Sequence, residues 1–106
     1  MNESLRPILS ELKRRLVEHY GERPESVILY GSQARGNAAG NSDIDVLVVL
    51  RGEVGAGEEL WQISGITSEL SLQSGQVIST TVLPERLYRQ RTSHFASGIR
   101  RDGISL

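Results

Sequence analysis

Two apolar runs, Ser26–Tyr30 and Asp43–Leu50, are joined by an interval rich in glycine and other small residues, Gly31 to Ser42. That interval constrains the chain most. Ser26-Val27-Ile28-Leu29-Tyr30 reads as a short strand buried on both faces, and it delivers Gly31 and Ser32 to its carboxyl end. In Asp43–Leu50, alternation sets Asp43, Asp45, Leu47 and Val49 on one face and Ile44, Val46, Val48 and Leu50 on the other. The all-apolar face is the expected core face.

A Gly-Ser turn presents backbone N–H groups and a hydroxyl to phosphate oxygens, and two acids two residues apart on a strand point the same way and share a divalent cation. The pattern therefore reads as a phosphate cradle beside metal carboxylates. About 5 Å apart, two such carboxylates repel by roughly 3 kcal/mol at an effective dielectric of about 20, so they need exposure, a partner, a cation or a shared proton. Magnesium is the natural cation. The plainer alternatives are solvated acids at a strand entrance, one of them capping the loop, and a Ser32 that only caps a short helix. Arg35 either reaches a triphosphate oxygen or pairs with Asp43.

Before this interval, Leu5, Ile8, Leu9, Leu12, Leu16 and Tyr20 paint one stripe on a helix of about four turns, with Pro7 in its first turn and Gly21 as its stop. Gln33–Asn41 suits a short helical turn and a loop. A second helix is expected over Glu58–Leu72, striped by Leu60, Ile63, Ile66 and Leu70, although Gly65 costs it about 1 kcal/mol relative to alanine. Gly75 stops it. Val77–Leu83 is β-branched enough for a third strand, and Pro84 ends that strand and opens a short helix through Tyr88. Phe95 and Ile99 anchor one more helical turn or two in the basic C-terminal part.

The 106 residues fit one domain, 1–106, with no room for a separate acceptor-binding domain, so a large substrate is expected to be another molecule. Twelve basic and 13 acidic residues leave a net charge of −1, which disfavours a long nucleic acid as partner. Cysteine is absent, which excludes disulfides and thiolate chemistry. No apolar run approaches the roughly 20 residues of a membrane span, and Met1–Leu12 does not read as a signal peptide, so the expected place is the cytoplasm without membrane contact. His19 and His94 lack partners at ligand spacing and read as surface residues. Arg86, Arg89, Arg91, Arg100 and Arg101 read as a solvated basic face or a docking surface, against an acidic middle of Glu53, Glu58, Glu59 and Glu69. Trp61 and Tyr88 read as core or interface residues.

Gly31-Ser32, ten residues, then Asp43-x-Asp45 resembles the signature of the nucleotidyltransferase superfamily that includes DNA polymerase β. The order of elements and the closing Phe95-x-x-x-Ile99-Arg-Arg-Asp-Gly103-Ile104 resemble its minimal nucleotidyltransferase (MNT) branch. The resemblance implies an α/β (α+β) fold: a small mixed sheet with helices mainly on one face, the polymerase β-like palm. It also implies Asp43 and Asp45 as catalytic metal ligands for Mg2+ and Gly31 and Ser32 as phosphate-binding residues, with ATP as substrate; Arg35 and Ser42, in the same interval, are the further nucleotide-binding candidates. The partner it implies is a HEPN-domain toxin that receives AMP on a hydroxyl, typically tyrosine, with homo- or hetero-oligomers as possible assemblies.

One feature departs from the family pattern. A third acid belongs on the strand 77–83, where this chain has Ser79, Thr80 and Thr81. Glu69, Glu85 or a carboxylate of the partner are the substitutes to consider. The departure keeps open a non-catalytic antitoxin or regulatory subunit that masks its partner by contact. A transferase acting on a small molecule is the third reading, and it normally needs an additional helical domain.

Overall fold

The computed structural model describes residues 3–36, 42–90 and 93–106. A 3₁₀ turn, Glu3–Leu5, leads into α1 (Arg6–Tyr20), followed by β1 (Pro24–Tyr30), α2 (Gly31–Arg35), β2 (Ile44–Leu50) and α3 (Ala56–Ser74). The chain continues with β3 (Ile78–Pro84), α4 (Glu85–Tyr88), α5 (His94–Asp102) and β4 (Ile104–Ser105). The four strands form one mixed sheet in the order β3-β2-β1-β4. β1 runs antiparallel to β2 and β4, while β2 and β3 are parallel and joined through α3.

The apolar stripe of α1 buries Leu9, Leu12 and Leu16, and the helix ends where expected, with the Gly21 N–H donating to the Val17 carbonyl. With α3, it closes one face of the sheet over Val27, Leu29, Ile44, Val46, Val48 and Leu50. That is the predicted core face. The opposite face is also buried along part of its length, because Ile99 of α5 packs with Ile28, Leu47 and Val49. β2 is thus polar at its entrance on that face and apolar further along.

Several local expectations shift. The helix expected over 58–72 extends to Ala56–Ser74, and Gly75 closes it in the left-handed region at φ 71°. β4 was not foreseen; only two residues long, it pairs Ile104 and Ser105 with Leu29 and Ile28. Trp61 is not a core residue, being 80% exposed, whereas Tyr88 lies half-buried against the Ile99 cluster. Glu59 is buried and not part of a solvated acidic surface: its carboxylate lies 2.7 Å from the Arg23 guanidinium. The expected basic face is divided among local partners. Arg89 pairs with Glu85 and Glu25, Arg100 donates to the Tyr88 carbonyl, and Arg101 pairs with Asp102. Arg91 lies outside the described residues. Among the described residues no helix is long and apolar enough to cross a membrane.

Candidate active site

The turn after β1 is fixed by what it touches. Gly31 has φ +74°, a region side chains disfavour, and a Cβ built on it falls 2.5 Å from Asp45 Oδ2. The positive φ strains any side chain there, and one could be added only if the Asp45 carboxylate turned aside. The antiparallel register sets Tyr30 opposite Asp45, so the end of β1 and the start of β2 bring the turn and the carboxylate together.

Asp43 lies immediately before β2 and is exposed, while Asp45 is half-buried. Burial raises the Asp45 carboxyl above its ordinary value, and the nearby charge of Asp43 raises it further. A carboxyl held back from ionising beside a second carboxylate suits a cation. Among the described residues, no third acidic or imidazole side chain joins them in a metal-sized cluster. Asp43 and Asp45 are the side chains here that could hold a divalent ion, which would need further oxygen ligands from outside the chain.

Ser32 stands in the first turn of α2, but no side chain caps that helix: Tyr30 occupies the N-cap position and makes no side-chain cap bond. The expectation of a capping Ser32 is therefore not met. Arg35 is exposed and forms no ion pair with Asp43 among the described residues. It borders a groove of about 240 Å³ with Tyr30, Gly31, Phe95, Ile99 and Arg101. The helical turn begins at Gly31, two residues ahead of the expected Gln33, and residues 37–41 of the expected loop lie outside the described residues. Ser42 closes that interval, where its carbonyl accepts a hydrogen bond of 2.9 Å from the buried Gln33 amide.

The two substitutes within this chain stand elsewhere. Glu69 projects from α3 and pairs with Arg15 of α1 at 3.1 Å, on the helical side of the sheet. Glu85 follows Pro84, which pairs with Leu50 at the far end of β2, and it accepts from Arg89 at 3.0 Å. The β3 residue opposite Asp45 is Ser79.

Sequence reasoning missed the contacts of Tyr30, the residue paired with Asp45. The Tyr30 hydroxyl lies 3.3 Å from Thr81 Oγ1, a hydrogen bond that spans β2 from β1 to β3. Phe95 of α5 meets the Tyr30 ring edge-on, with centroids 5.6 Å apart. Neither contact has a signal in the linear sequence, since the first depends on strand register and the second on where α5 packs. His19, 3.3 Å from the Gln62 side-chain oxygen, and the exposed His94 are not part of the site.

A small mixed sheet with an Asp-x-Asp strand set against a glycine turn has its counterpart in one family. The chain belongs to the nucleotidyltransferase domain family, whose model matches residues 9–95. As a class, then, the protein is a nucleotidyltransferase. It is 33% identical over 91 residues to a Methanocaldococcus jannaschii protein provisionally named a protein adenylyltransferase, covering 86% of this chain and 83% of that one. The fold is similar to that of a toxin–antitoxin crystal structure with AMP-PNP, at a TM-score of 0.62 and 16% identity over 89% of this chain and 68% of that one. It is also similar to a provisionally named nucleotidyltransferase of Sulfolobus solfataricus, at a TM-score of 0.57 and 22% identity over 99% of this chain and 86% of that one.

Proposed function

We propose that this protein is an antitoxin, acting as a single cytoplasmic domain, that binds ATP with Mg2+ and transfers AMP to a hydroxyl, of tyrosine type, on a HEPN-domain toxin. The modification neutralises the toxin. Asp43 and Asp45 would hold the metal, while Gly31, Ser32, Arg35 and Ser42 would hold the nucleotide. The observation that carries this reading is the Asp45 carboxylate seated against the Gly31 turn, whose positive φ disfavours any side chain, with the Asp43 charge beside it.

Bound Mg2+ would neutralise developing charge on the phosphates. The chain's own part is positional. The glycine turn would let phosphate oxygens approach backbone N–H groups, and the two carboxylates would hold the ion against which the triphosphate is aligned for in-line attack. The acceptor oxygen bonds to the α-phosphorus as the bond to the β-phosphate oxygen breaks. Pyrophosphate leaves, and the hydroxyl proton passes to water. The chemistry of the family and the provisional name of the archaeal relative support AMP transfer to protein, and the toxin–antitoxin neighbour supports the kind of partner.

Ser79 opposite Asp45 favours a second reading, in which the protein masks the toxin by contact without transferring AMP. Incubation with α-labelled ATP, Mg2+ and the candidate toxin separates the two. Label on a toxin tyrosine that disappears with Asp43→Asn supports transfer, and toxin inhibition without label supports masking. Ser79→Asp restores an acid at the third position. Under the transfer reading, it tightens Mg2+ dependence and speeds labelling.

A further inference from the structure

Among the described residues nothing covers the outer face of α3. Trp61, Gly65, Ser68 and Leu72 recur at four, three and four residue steps and share one exposed stripe of the helix. Trp61 is 80% exposed and Leu72 is 85% exposed. Gly65 is stranger still. It sits inside a helix, where it costs about 1 kcal/mol relative to alanine. Yet a Cβ there meets no atom within 4 Å among the described residues, so none of them requires its absence.

We infer that this stripe is a self-association surface and that its occupant is α3 of a second copy of this chain, packed antiparallel about a two-fold axis. The order large, small, small, large is its own complement. An axis passing between Ile66 and Thr67 sets Trp61 over the partner's Leu72 and Gly65 against the partner's Ser68, in both directions at once. The small pair lets the helix axes approach closely, and the large pair closes the two ends. Charge is consistent with this arrangement. α3 contains no Lys or Arg, and its exposed acids Glu58 and Glu69 lie on one flank with Gln62 and Gln73. The same axis brings the partner's Gln73 towards Glu58 and the partner's Gln62 towards Glu69, so acids meet amides instead of one another.

The area suffices. Two Trp61 and two Leu72 side chains cover on the order of 600 Å², about half of the roughly 1,200 Å² at which specific interfaces begin. A helix about 28 Å long supplies the remainder. The surface is independent of the proposed AMP transfer, because α3 packs on the face of the sheet opposite to Leu47 and Val49, the face that Asp45 shares.

Trp61 is the only tryptophan of the chain, so its emission reports directly on this contact. Sedimentation of the intact protein is expected to give twice the chain mass, with Trp61 emission moving to shorter wavelength as concentration rises. Leu72→Asp and Trp61→Ala, both at exposed positions, weaken association by about a hundredfold because each dimer contains the lost contact twice. As the chain lacks cysteine, the double variant Gly65→Cys/Ser68→Cys is expected to form a covalent dimer on oxidation. A single-chain mass at every concentration overturns the inference, as does a dimer that persists unchanged in Leu72→Asp. A Trp61 shift seen only on adding another protein also overturns it and assigns the stripe to that protein.

Discussion

Two inward-facing carboxylates are treated in opposite ways by this molecule. Glu59, at the start of α3, is almost fully buried and has its own cation: Arg23 reaches it at 2.7 Å and also donates to the carbonyls of Arg51 and Glu53. Asp45, at the start of β2, has a second carboxylate beside it and no ion-pair partner among the described residues. The first arrangement holds the ends of α1, β2 and α3 together. The second leaves charge repulsion in place, and an uncompensated acid of this kind marks a functional site more often than a structural one.

If that contrast is right, variants at the two places should separate stability from function. Arg23→Ala leaves the Glu59 carboxylate buried and unpaired, and it should cost about 2–3 kcal/mol in urea denaturation, the largest stability loss of this series. Its nucleotide binding should survive wherever the protein remains folded. Next comes Gly31→Ala, which puts a side chain at positive φ and into the Asp45 carboxylate. A loss of about 1–2 kcal/mol is expected, together with loss of ATP binding by calorimetry.

Tyr30→Phe removes only the hydroxyl that reaches Thr81. It should cost about 1 kcal/mol and reduce AMP transfer more than ATP binding, as read by parallel unfolding and labelling assays. The smallest effect on stability belongs to Asp45→Asn. Because its folded-state pKa is raised, Asp45 binds its proton more readily in the folded than in the unfolded chain. Its contribution therefore favours folding as pH falls through that range and is lost as pH rises. Asp45→Asn should remove this component, so that the variant is as stable as the parent or slightly more so at neutral pH while AMP transfer is lost. A marked destabilisation by Asp45→Asn, or a neutral Arg23→Ala, would break the comparison.

The elements with strong periodicity were legible before any coordinates. The α1 stripe buries Leu5, Leu9, Leu12 and Leu16, and the β2 alternation names its core face correctly. Burial of Leu47 and Val49 was harder to foresee. Their face begins with two acids, and it becomes dry where Ile99 of the C-terminal helix packs on it together with Leu83 and Tyr88. Trp61 went the other way, since an aromatic residue inside an amphipathic helix is usually buried, whereas here the stripe containing Ile63 and Leu70 faces the sheet and Trp61 falls outside it. β4, two residues long, lies below what propensity can resolve.

For the site, local spacing was enough to put Asp43, Asp45, Gly31 and Ser32 forward as one group. Local spacing carries that much because a strand's side-chain period and a glycine's freedom at positive φ are properties of neighbouring residues. Which residues stand across from them is another matter. That Ser79 faces Asp45, that Tyr30 reaches Thr81 over β2, and that Glu69 and Glu85 are spent on Arg15 and Arg89 all follow from strand register and helix placement. Those depend on how residues tens of positions apart pack into one core, which only the tertiary structure decides.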